Sequence, residues 1–321
     1  MKRFLPVLGA LVLLAVIVGA VVWQRPGTSP EAIAAGDVVL QHSDGSILWR
    51  SGQPETPLVR QVLRELGTTG TSLDQLRAAG GALVVTTIDS KAQAGATEVI
   101  RQLAAARPAS ITAVDPASGG VRAYAPGHDP AADYAGGVVR AAGEAARPFG
   151  SVALMRAAGV PETAEVEGTR TDLLATGEAL LRPLDVATAY ATFGAGGVHH
   201  DTHFITHVTE ASGKTLYRAV AEARPALGLD PARSKEFAAR VTEELRAGPS
   251  CVNHPEAACL PVEVKDGDVV RHAWMIEYTP QLAVVVFVGG ESRVAVQGRP
   301  VTATGLPNDI LRAFQQKLTT W

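Results

Sequence analysis

The sequence lacks a surplus of positive charge. Its 29 Lys and Arg residues against 32 Asp and Glu give a formal net charge of −3, so the composition indicates no polyanion-binding surface and we expect no nucleic-acid partner. Aromatic residues are scarce as well, at 5%, and the sequence shows no internal repeat and no low-complexity segment. What the chain does have is 46% apolar residues over 321 positions, enough for the core of one large domain or two small ones.

Cysteine occurs only twice, as Cys251 and Cys259. Both lie in the part of the chain that we predict below to be exported, where a disulfide is chemically permitted. A bridge between them would close a short loop and stabilise the fold by about 2–3 kcal/mol. Two unpaired structural thiols are the alternative.

An uncharged apolar run from Phe4 to Trp23 follows Lys2 and Arg3. Its 20 residues match the roughly 20 that a helix needs to cross a hydrocarbon core of about 30 Å. A cleaved signal peptide would have a shorter apolar region, and the nearest small-x-small site, at 32–34, lies well past the run. We therefore predict residues 1–3 in the cytoplasm, an uncleaved single-pass anchor in the plasma membrane over 4–23, and the rest of the chain outside the cytoplasm.

Pro and Gly residues after the anchor predict a linker over 24–54, with a β-hairpin around Asp44-Gly45. Residues 55–321 then show strand patterns near both ends and helical patterns between them. Two of the clearest are a strand at 82–88 and a strand–turn–strand pattern at 110–127. This order predicts an α+β fold, in which a mostly antiparallel sheet carries helices on both faces and additional helices are inserted.

Four segments together resemble the transpeptidase half of class A penicillin-binding proteins. In chain order they are VVTTIDSKAQAGA (84–96), AVDPASGGVRAY (113–124), ALLRPLDVATAYATFGAGGVHHDTHFITHV (179–208) and HAWMIEYTPQLAVVVFVGG (272–290). The resemblance covers about residues 55–321 and implies the serine β-lactamase and penicillin-recognising fold, in a protein of peptidoglycan biogenesis. The family's other half, a glycosyltransferase, has no counterpart in this sequence, so we expect no glycan polymerisation.

The segment RAAGEAARPF, from Arg140 to Phe149, resembles the family's nucleophile motif Arg-x-Pro-Gly-Ser-x-x-Lys-Pro-Phe. Glu144 stands where the resemblance places the attacking serine, and Arg147 where it places the lysine that takes the serine proton. An arginine stays charged at any relevant pH and cannot be this base, and no Ser-x-x-Lys occurs anywhere in the chain. At a separation of three residues on a helix, we expect Glu144 and Arg147 to pair with each other.

The family's other two motifs are altered as well. No Ser-x-Asn occurs, and the stretch between Phe149 and Leu180 is shorter than the family's, which implies a reduced helical subdomain. The third motif, Lys-Thr-Gly on the substrate-binding strand, has its counterpart either in Lys265-Asp266-Gly267 or in Cys259-Leu260-Pro261. In the first placement Asp266 would repel a substrate carboxylate. Alternatively, residues 265–267 form a polar turn and nothing more.

Histidines at 199, 200, 203 and 207, together with Asp201, are a candidate metal cluster. The segment follows two glycines and alternates polar with apolar residues, so we predict a loop and a strand, along which His203 and His207 would lie about 13 Å apart. We therefore predict surface or structural histidines, with no metal site and no cofactor.

Retained fold segments with altered motifs lead to one functional hypothesis. It is a membrane-anchored, extracytoplasmic penicillin-binding-like domain that lacks acyl transfer and binds peptidoglycan or a partner of the cell-wall or division machinery. The enzymatic alternative is a residual D,D-transpeptidase or carboxypeptidase with a non-standard site. A product of gene decay is a third interpretation, and it predicts that the ectodomain does not melt cooperatively.

Overall fold

The computed structural model describes residues 36–104, 107–150, 165–166, 169–170, 176–226, 229–247, 256–289 and 301–319. The predicted cytoplasmic residues 1–3, the predicted anchor at 4–23 and the first part of the predicted linker lie outside these ranges. Within the described ranges, no helix is both long enough and apolar enough to cross a membrane. The anchor therefore stays a prediction.

The described chain contains both short and long strands and helices of four to sixteen residues. The strands are β1 (Val38–Gln41), β2 (Ile47–Arg50), β3 (Ala82–Thr86), β4 (Ala109–Val114), β5 (Val121–Ala125), β6 (Arg140–Ala141), β7 (Glu165–Val166), β8 (Thr169–Arg170), β9 (Leu180–Leu181), β10 (Val198–His200), β11 (Ile205–Glu210), β12 (Thr215–Arg218), β13 (Ala223–Pro225), β14 (Ala258–Asp266), β15 (Val269–Tyr278) and β16 (Ala283–Gly289). The helices are α1 (Pro57–Thr68), α2 (Leu73–Ala78), α3 (Ser90–Val99), α4 (Arg147–Gly150), α5 (Pro183–Gly194), α6 (Pro231–Arg246) and α7 (Leu306–Thr319).

A five-stranded antiparallel sheet, in the order β14-β15-β16-β4-β5, forms the centre of the fold. Helices cover both of its faces: α5 and α6 pack on one, and α3 and α7 pack together on the other. Successive side chains of a strand enter opposite cores. On β15, Trp274 and Ile276 join the α5 core, whereas Ala273 and Met275 join the α7 core. The predicted antiparallel sheet with helices on both faces is confirmed.

The predicted hairpin around Asp44-Gly45 is present as β1 and β2, and Gly45 has the positive φ that such a turn requires. The hairpin belongs to a second sheet, in the order β12-β11-β3-β1-β2, because β1 pairs in parallel with β3. Val38 and Leu40 of β1 are fully buried in the same core as α5. The predicted division between residues 54 and 55 therefore cuts through one sheet.

Helix starts are set by side chains that accept hydrogen bonds from the first free backbone N–H groups. Thr56 has this role at α1, Asp89 at α3 and Asp230 at α6. Helix α6 begins at Pro231, because Asp230 and Pro231 form the start signal.

The segment between β5 and α5 carries little regular structure among its described residues. There β6 pairs with β9 and β7 pairs with β8, with two residues per strand. Most of residues 151–175, where we predict a reduced helical subdomain, lie outside the described ranges. That reduction stays a prediction.

Candidate functional site

The nucleophile segment, residues 140–149, which resembles the family's nucleophile motif, lies at the edge of the main sheet. Strand β6 leads into a 3-10 turn over Gly143–Ala146, and α4 follows directly. Gly143 has a φ of +53°, a conformation that glycine adopts without the strain of a Cβ atom. Glu144 therefore lies in the first turn of a helical segment, as the sequence predicts, and Arg147 lies one turn later.

Glu144 and Arg147 form the predicted ion pair, with 3.6 Å between Arg147 Nε and Glu144 Oε2. Arg147 Nη2 also lies 3.4 Å from Glu244 Oε1 on α6, a partner that the local sequence does not reveal. The side chains of Glu144, Arg147 and Glu244 are 67%, 47% and 49% exposed, so solvent screens each pair to roughly 0–1 kcal/mol. Arg147 thus links the nucleophile segment to α6 and carries its charge between two carboxylates.

The strand surface beside Glu144 is apolar. A Cβ atom added to Gly143 would lie 2.8 Å from Val264 Cγ2 and 3.5 Å from Val262 Cγ1. The backbone that precedes Glu144 therefore runs directly over these two side chains of β14. Neither valine was a candidate residue in the sequence, because they become neighbours of Glu144 only through the fold.

Lys265, Asp266 and Gly267 lie at the tip of the β14–β15 hairpin, where Gly267 has a φ of +57°. Lys265 Nζ lies 2.8 Å from Glu263 Oε2, and Asp266 Oδ2 lies 2.6 Å from Arg271 Nη2. Both charges thus have partners within the hairpin. This placement agrees with the interpretation as a polar turn, one of the alternatives that the sequence leaves open.

Two buried side chains hold the nucleophile segment against the domain. His272 Nε2 lies 2.8 Å from the carbonyl oxygen of Ala141, and the Tyr190 hydroxyl donates to the carbonyl oxygen of Ala145 at 2.9 Å. Burial lowers the pKa of His272, which favours a neutral ring that carries its proton on Nε2. Burial also raises the pKa of Tyr190 and keeps its hydroxyl a donor.

The groups that meet around Glu144 define what this place can do chemically. They are two carboxylates, one guanidinium and two valine side chains. Among the described residues, the carboxylates and the guanidinium form ion pairs with one another, and the guanidinium cannot act as a base.

Cys259 lies on β14, is buried and is disulfide-bonded. Cys251, the only other cysteine of the sequence, lies outside the described residues. The alternative placement of the third motif, at Cys259-Leu260-Pro261, falls in the first half of β14, where all three residues pair with β15.

The predicted histidine cluster is distributed over β10, the loop that follows it and β11. His199 is buried, with Nδ1 at 3.1 Å from Thr192 Oγ1 and Nε2 at 3.5 Å from Asp201 Oδ1. His203 Nδ1 lies 3.2 Å from the carbonyl oxygen of Asp201. In the described part of the chain, no group of three or more His, Cys, Asp or Glu residues could hold a metal ion.

A separate cavity of about 550 Å³ opens between α1, α5 and residues 199–204. Glu65 connects its walls, since its carboxylate accepts hydrogen bonds from the backbone N–H groups of Phe204 at 2.6 Å and Ile205 at 3.0 Å. Burial raises the pKa of Glu65, although these two hydrogen bonds oppose the shift. Sequence reasoning missed this cavity because its walls come from segments that lie far apart along the chain.

Two curated relatives match part of the chain. Penicillin-binding protein 1A of Mycolicibacterium smegmatis is 37% identical over 145 residues, and penicillin-binding protein 1A of Mycobacterium tuberculosis is 31% identical over 149 residues. The matches cover 41% and 43% of this chain and 18% of each relative. No family model matches the chain.

Solved structures share the fold over most of the chain. The penicillin-binding protein PonA1 of Mycobacterium tuberculosis has a TM-score of 0.66 at 22% identity, covering 81% of this chain and 91% of that structure. PBPA of Mycobacterium tuberculosis has a TM-score of 0.64 at 14% identity, covering 89% of this chain and all of that structure. At such identities the likeness shows the fold alone.

Proposed function

Because this chain carries a penicillin-binding transpeptidase domain, we propose that it takes part in cell-wall biogenesis by binding, without catalysing acyl transfer. In this proposal the domain binds peptidoglycan or a protein of the wall-synthesis or division machinery. The apolar run at 4–23 would anchor it in the plasma membrane, with the domain on the extracytoplasmic side.

The arrangement around Glu144 carries the proposal. At the position of the family's serine there is a carboxylate, and at the position of its lysine there is an arginine that contacts two carboxylates. Acyl transfer needs a nucleophile and a group that accepts its proton. A permanently charged guanidinium cannot accept a proton, and a carboxylate attacking an amide would form a reactive anhydride.

Packing supports the same proposal. The family's third motif lies on the strand beside the nucleophile, where it binds the substrate. In this chain Val262 and Val264 lie beside the turn that carries Glu144, and neither can donate a hydrogen bond from its side chain. A carboxylate-bearing substrate would find no partner in these two side chains.

Labelling with a fluorescent penicillin tests the absence of acyl transfer. The full chain is purified in detergent, incubated with the label, denatured and examined on a gel, beside an active penicillin-binding protein as the positive control. We expect fluorescence from the control and none from this chain. A stable, stoichiometric adduct on this chain would establish the enzymatic alternative, a residual transpeptidase or carboxypeptidase.

Co-sedimentation with purified peptidoglycan tests the binding role. We expect the full chain to sediment with the sacculi and to be released by soluble peptidoglycan fragments. If the chain stays in the supernatant, peptidoglycan is not its ligand. Crosslinking in cells followed by mass spectrometry then decides whether a wall-synthesis or division protein is bound, and recovery of neither class overturns the binding role.

A further inference from the structure

We propose that the cavity between α1 and α5 is a second binding site, for a ligand that joins a single carboxylate to an apolar group, as the C-terminal residue of a short peptide does. Arg64 is the residue that we assign to the carboxylate. Neither Glu144 nor Arg147 lines this cavity. Ligand binding in this cavity therefore does not require Glu144 or Arg147.

Arg64 lines the cavity and is the cation there that forms no ion pair among the described residues. Its one hydrogen bond runs from Nη1 to Gln61 Oε1, at 2.7 Å, and within the described part of the chain it forms no ion pair. A guanidinium has five N–H donors, so most of them are available to a ligand. Paired donors on a planar guanidinium match the two oxygens of a carboxylate.

Gln61 holds Arg64 in place before any ligand arrives. Its side chain is buried, and Nε2 donates to Asp133 Oδ2 at 2.9 Å and contacts the Tyr124 hydroxyl at 3.1 Å. A carboxylate only accepts hydrogen bonds, so Asp133 fixes the orientation of the amide and turns Oε1 towards Arg64. The guanidinium is thereby positioned, which reduces the entropy that a ligand must remove on binding.

The remaining charges of the cavity are satisfied within the protein. Asp185 pairs with Arg182 at 2.5 Å, and Asp201 pairs with Arg224 at 2.8 Å. Glu65 accepts two backbone hydrogen bonds. Among the described residues, Arg64 therefore remains the positive charge without an ion pair, and the Glu65 carboxylate remains the negative charge without one. A dianion such as a phosphate monoester would bring a second negative charge close to Glu65 with one guanidinium to balance it, and for this reason we infer a monoanionic carboxylate.

Apolar side chains form the other part of the cavity. Leu180 lines it while 63% of its surface is exposed, and Leu184, Phe149 and Phe204 line the same space. An aliphatic ligand group placed against Leu180 would remove apolar surface from water on both sides, which is favourable by roughly 25 cal/mol per Å². A carboxylate and an aliphatic group on one small ligand would thus satisfy both parts.

Fluorescence anisotropy with a matched pair of peptides tests the proposal. Both probes are Gly-Gly-Ala-Leu with a dye on the N-terminus, one with a free C-terminal carboxylate and one with a carboxamide. On the full chain in detergent, we expect the carboxylate probe to bind roughly 10- to 100-fold more tightly, the range for losing charge-assisted hydrogen bonds. Titration of each probe with detergent alone corrects for its partitioning into micelles.

Variants show whether Arg64 causes the difference. Arg64→Gln should remove the preference for the carboxylate probe and leave the carboxamide probe unchanged. Arg60→Gln, one turn earlier on α1 and not among the cavity-lining residues, should leave both affinities unchanged. Leu180→Ser should weaken both probes by a similar factor. Equal binding of the two probes, an unaltered preference in Arg64→Gln, or no binding of the carboxylate probe at millimolar concentration each overturns the proposal.

Discussion

The nucleophile segment and the α1–α5 cavity use an arginine in opposite ways. At the nucleophile segment, Arg147 lies between Glu144 and Glu244, and the adjacent strand presents Val262 and Val264. At the cavity, Arg64 forms no ion pair among the described residues and is held by an amide. One region has its charges paired and its strand surface covered, whereas the other keeps a charge and a volume open. The fold thus pairs the charges around Glu144 and leaves Arg64 without an ion pair, among the described residues, beside a cavity of about 550 Å³.

The largest effect on stability is expected from Gly143→Ala, because this substitution would push the nucleophile segment away from β14. The new Cβ would lie 2.8 Å from Val264 Cγ2 at a φ of +53°, so both a clash and backbone strain arise. We expect the free energy of unfolding to fall by about 2–3 kcal/mol in urea titrations.

Gly45→Ala is a matched control for this prediction, because it has a positive φ with no atom within 4 Å of the added Cβ. The free energy of unfolding of this variant should fall by about 1 kcal/mol, which is the cost of a left-handed backbone conformation at an alanine. In a double-mutant cycle, Val264→Ala should relieve part of the Gly143→Ala cost. Equal losses at the two glycines, with no coupling to Val264, would mean that the segment does not pack on the strand.

A smaller loss is expected from Tyr190→Phe, which removes the hydroxyl that donates to the Ala145 carbonyl oxygen. The carbonyl would be left unsatisfied beside a fully buried ring, so we expect a loss of about 1–2 kcal/mol in thermal or urea unfolding. Tyr217→Phe is the control, since its ring is only partly buried and should contribute little. If both substitutions cost the same, the hydroxyl of Tyr190 does not secure the segment.

His272 at the nucleophile segment and Glu65 at the cavity make stability depend on pH in different ways, because His272 has a lowered pKa and Glu65 a raised one. Burial lowers the pKa of His272, so the unfolded chain binds more protons and stability falls as pH drops below the ordinary histidine value of about 6.5. Glu65 at the cavity has a raised pKa, so its contribution is present at acid pH and is lost as pH rises through the folded-state value.

We therefore expect His272→Gln to flatten the acid side of the stability profile, measured by urea unfolding at a series of pH values. Glutamine keeps an N–H donor for the Ala141 carbonyl but does not titrate. If stability falls as steeply with decreasing pH in His272→Gln as in the parent chain, groups other than His272 take up the protons.

The smallest effect is expected from Arg147→Ala. Its two ion pairs are about half exposed, so the free energy of unfolding should change by roughly 1 kcal/mol or less, and the change should shrink in high salt. A loss of several kcal/mol would show that the arginine does more than connect two exposed carboxylates. Arg240→Ala, which removes an exposed pair with Glu236 on α6, is the control.

Local signals explain which features the sequence could predict. The Asp44-Gly45 hairpin and the Glu144–Arg147 pair each depend on residues within a few positions of one another. Antiparallel strands with helices on both faces follow from the order of such segments. The predicted division at residue 54 does not follow the sheet, because the parallel pairing of β1 with β3 joins segments about 45 residues apart.

Contacts between distant segments explain what the sequence could not predict. Glu244 reaches Arg147 from α6, Val264 reaches Gly143 from β14, and Glu65 accepts hydrogen bonds from residues 139 and 140 positions away. No local pattern specifies these distances. The third motif stayed ambiguous for a related reason, since only the register of β14 against β15 places residues 265–267 at the tip of a hairpin.

Intact-protein mass spectrometry after incubation with penicillin V tests the central claim most directly, on the full chain and on the Glu144→Ser, Arg147→Lys double variant. The double variant restores the two altered positions, but Val262 and Val264 still line the strand and the sequence still has no Ser-x-Asn. We predict that both proteins keep their mass. A stoichiometric increase by one penicillin in either protein would contradict the claim that this transpeptidase fold has lost acyl transfer through several concerted changes.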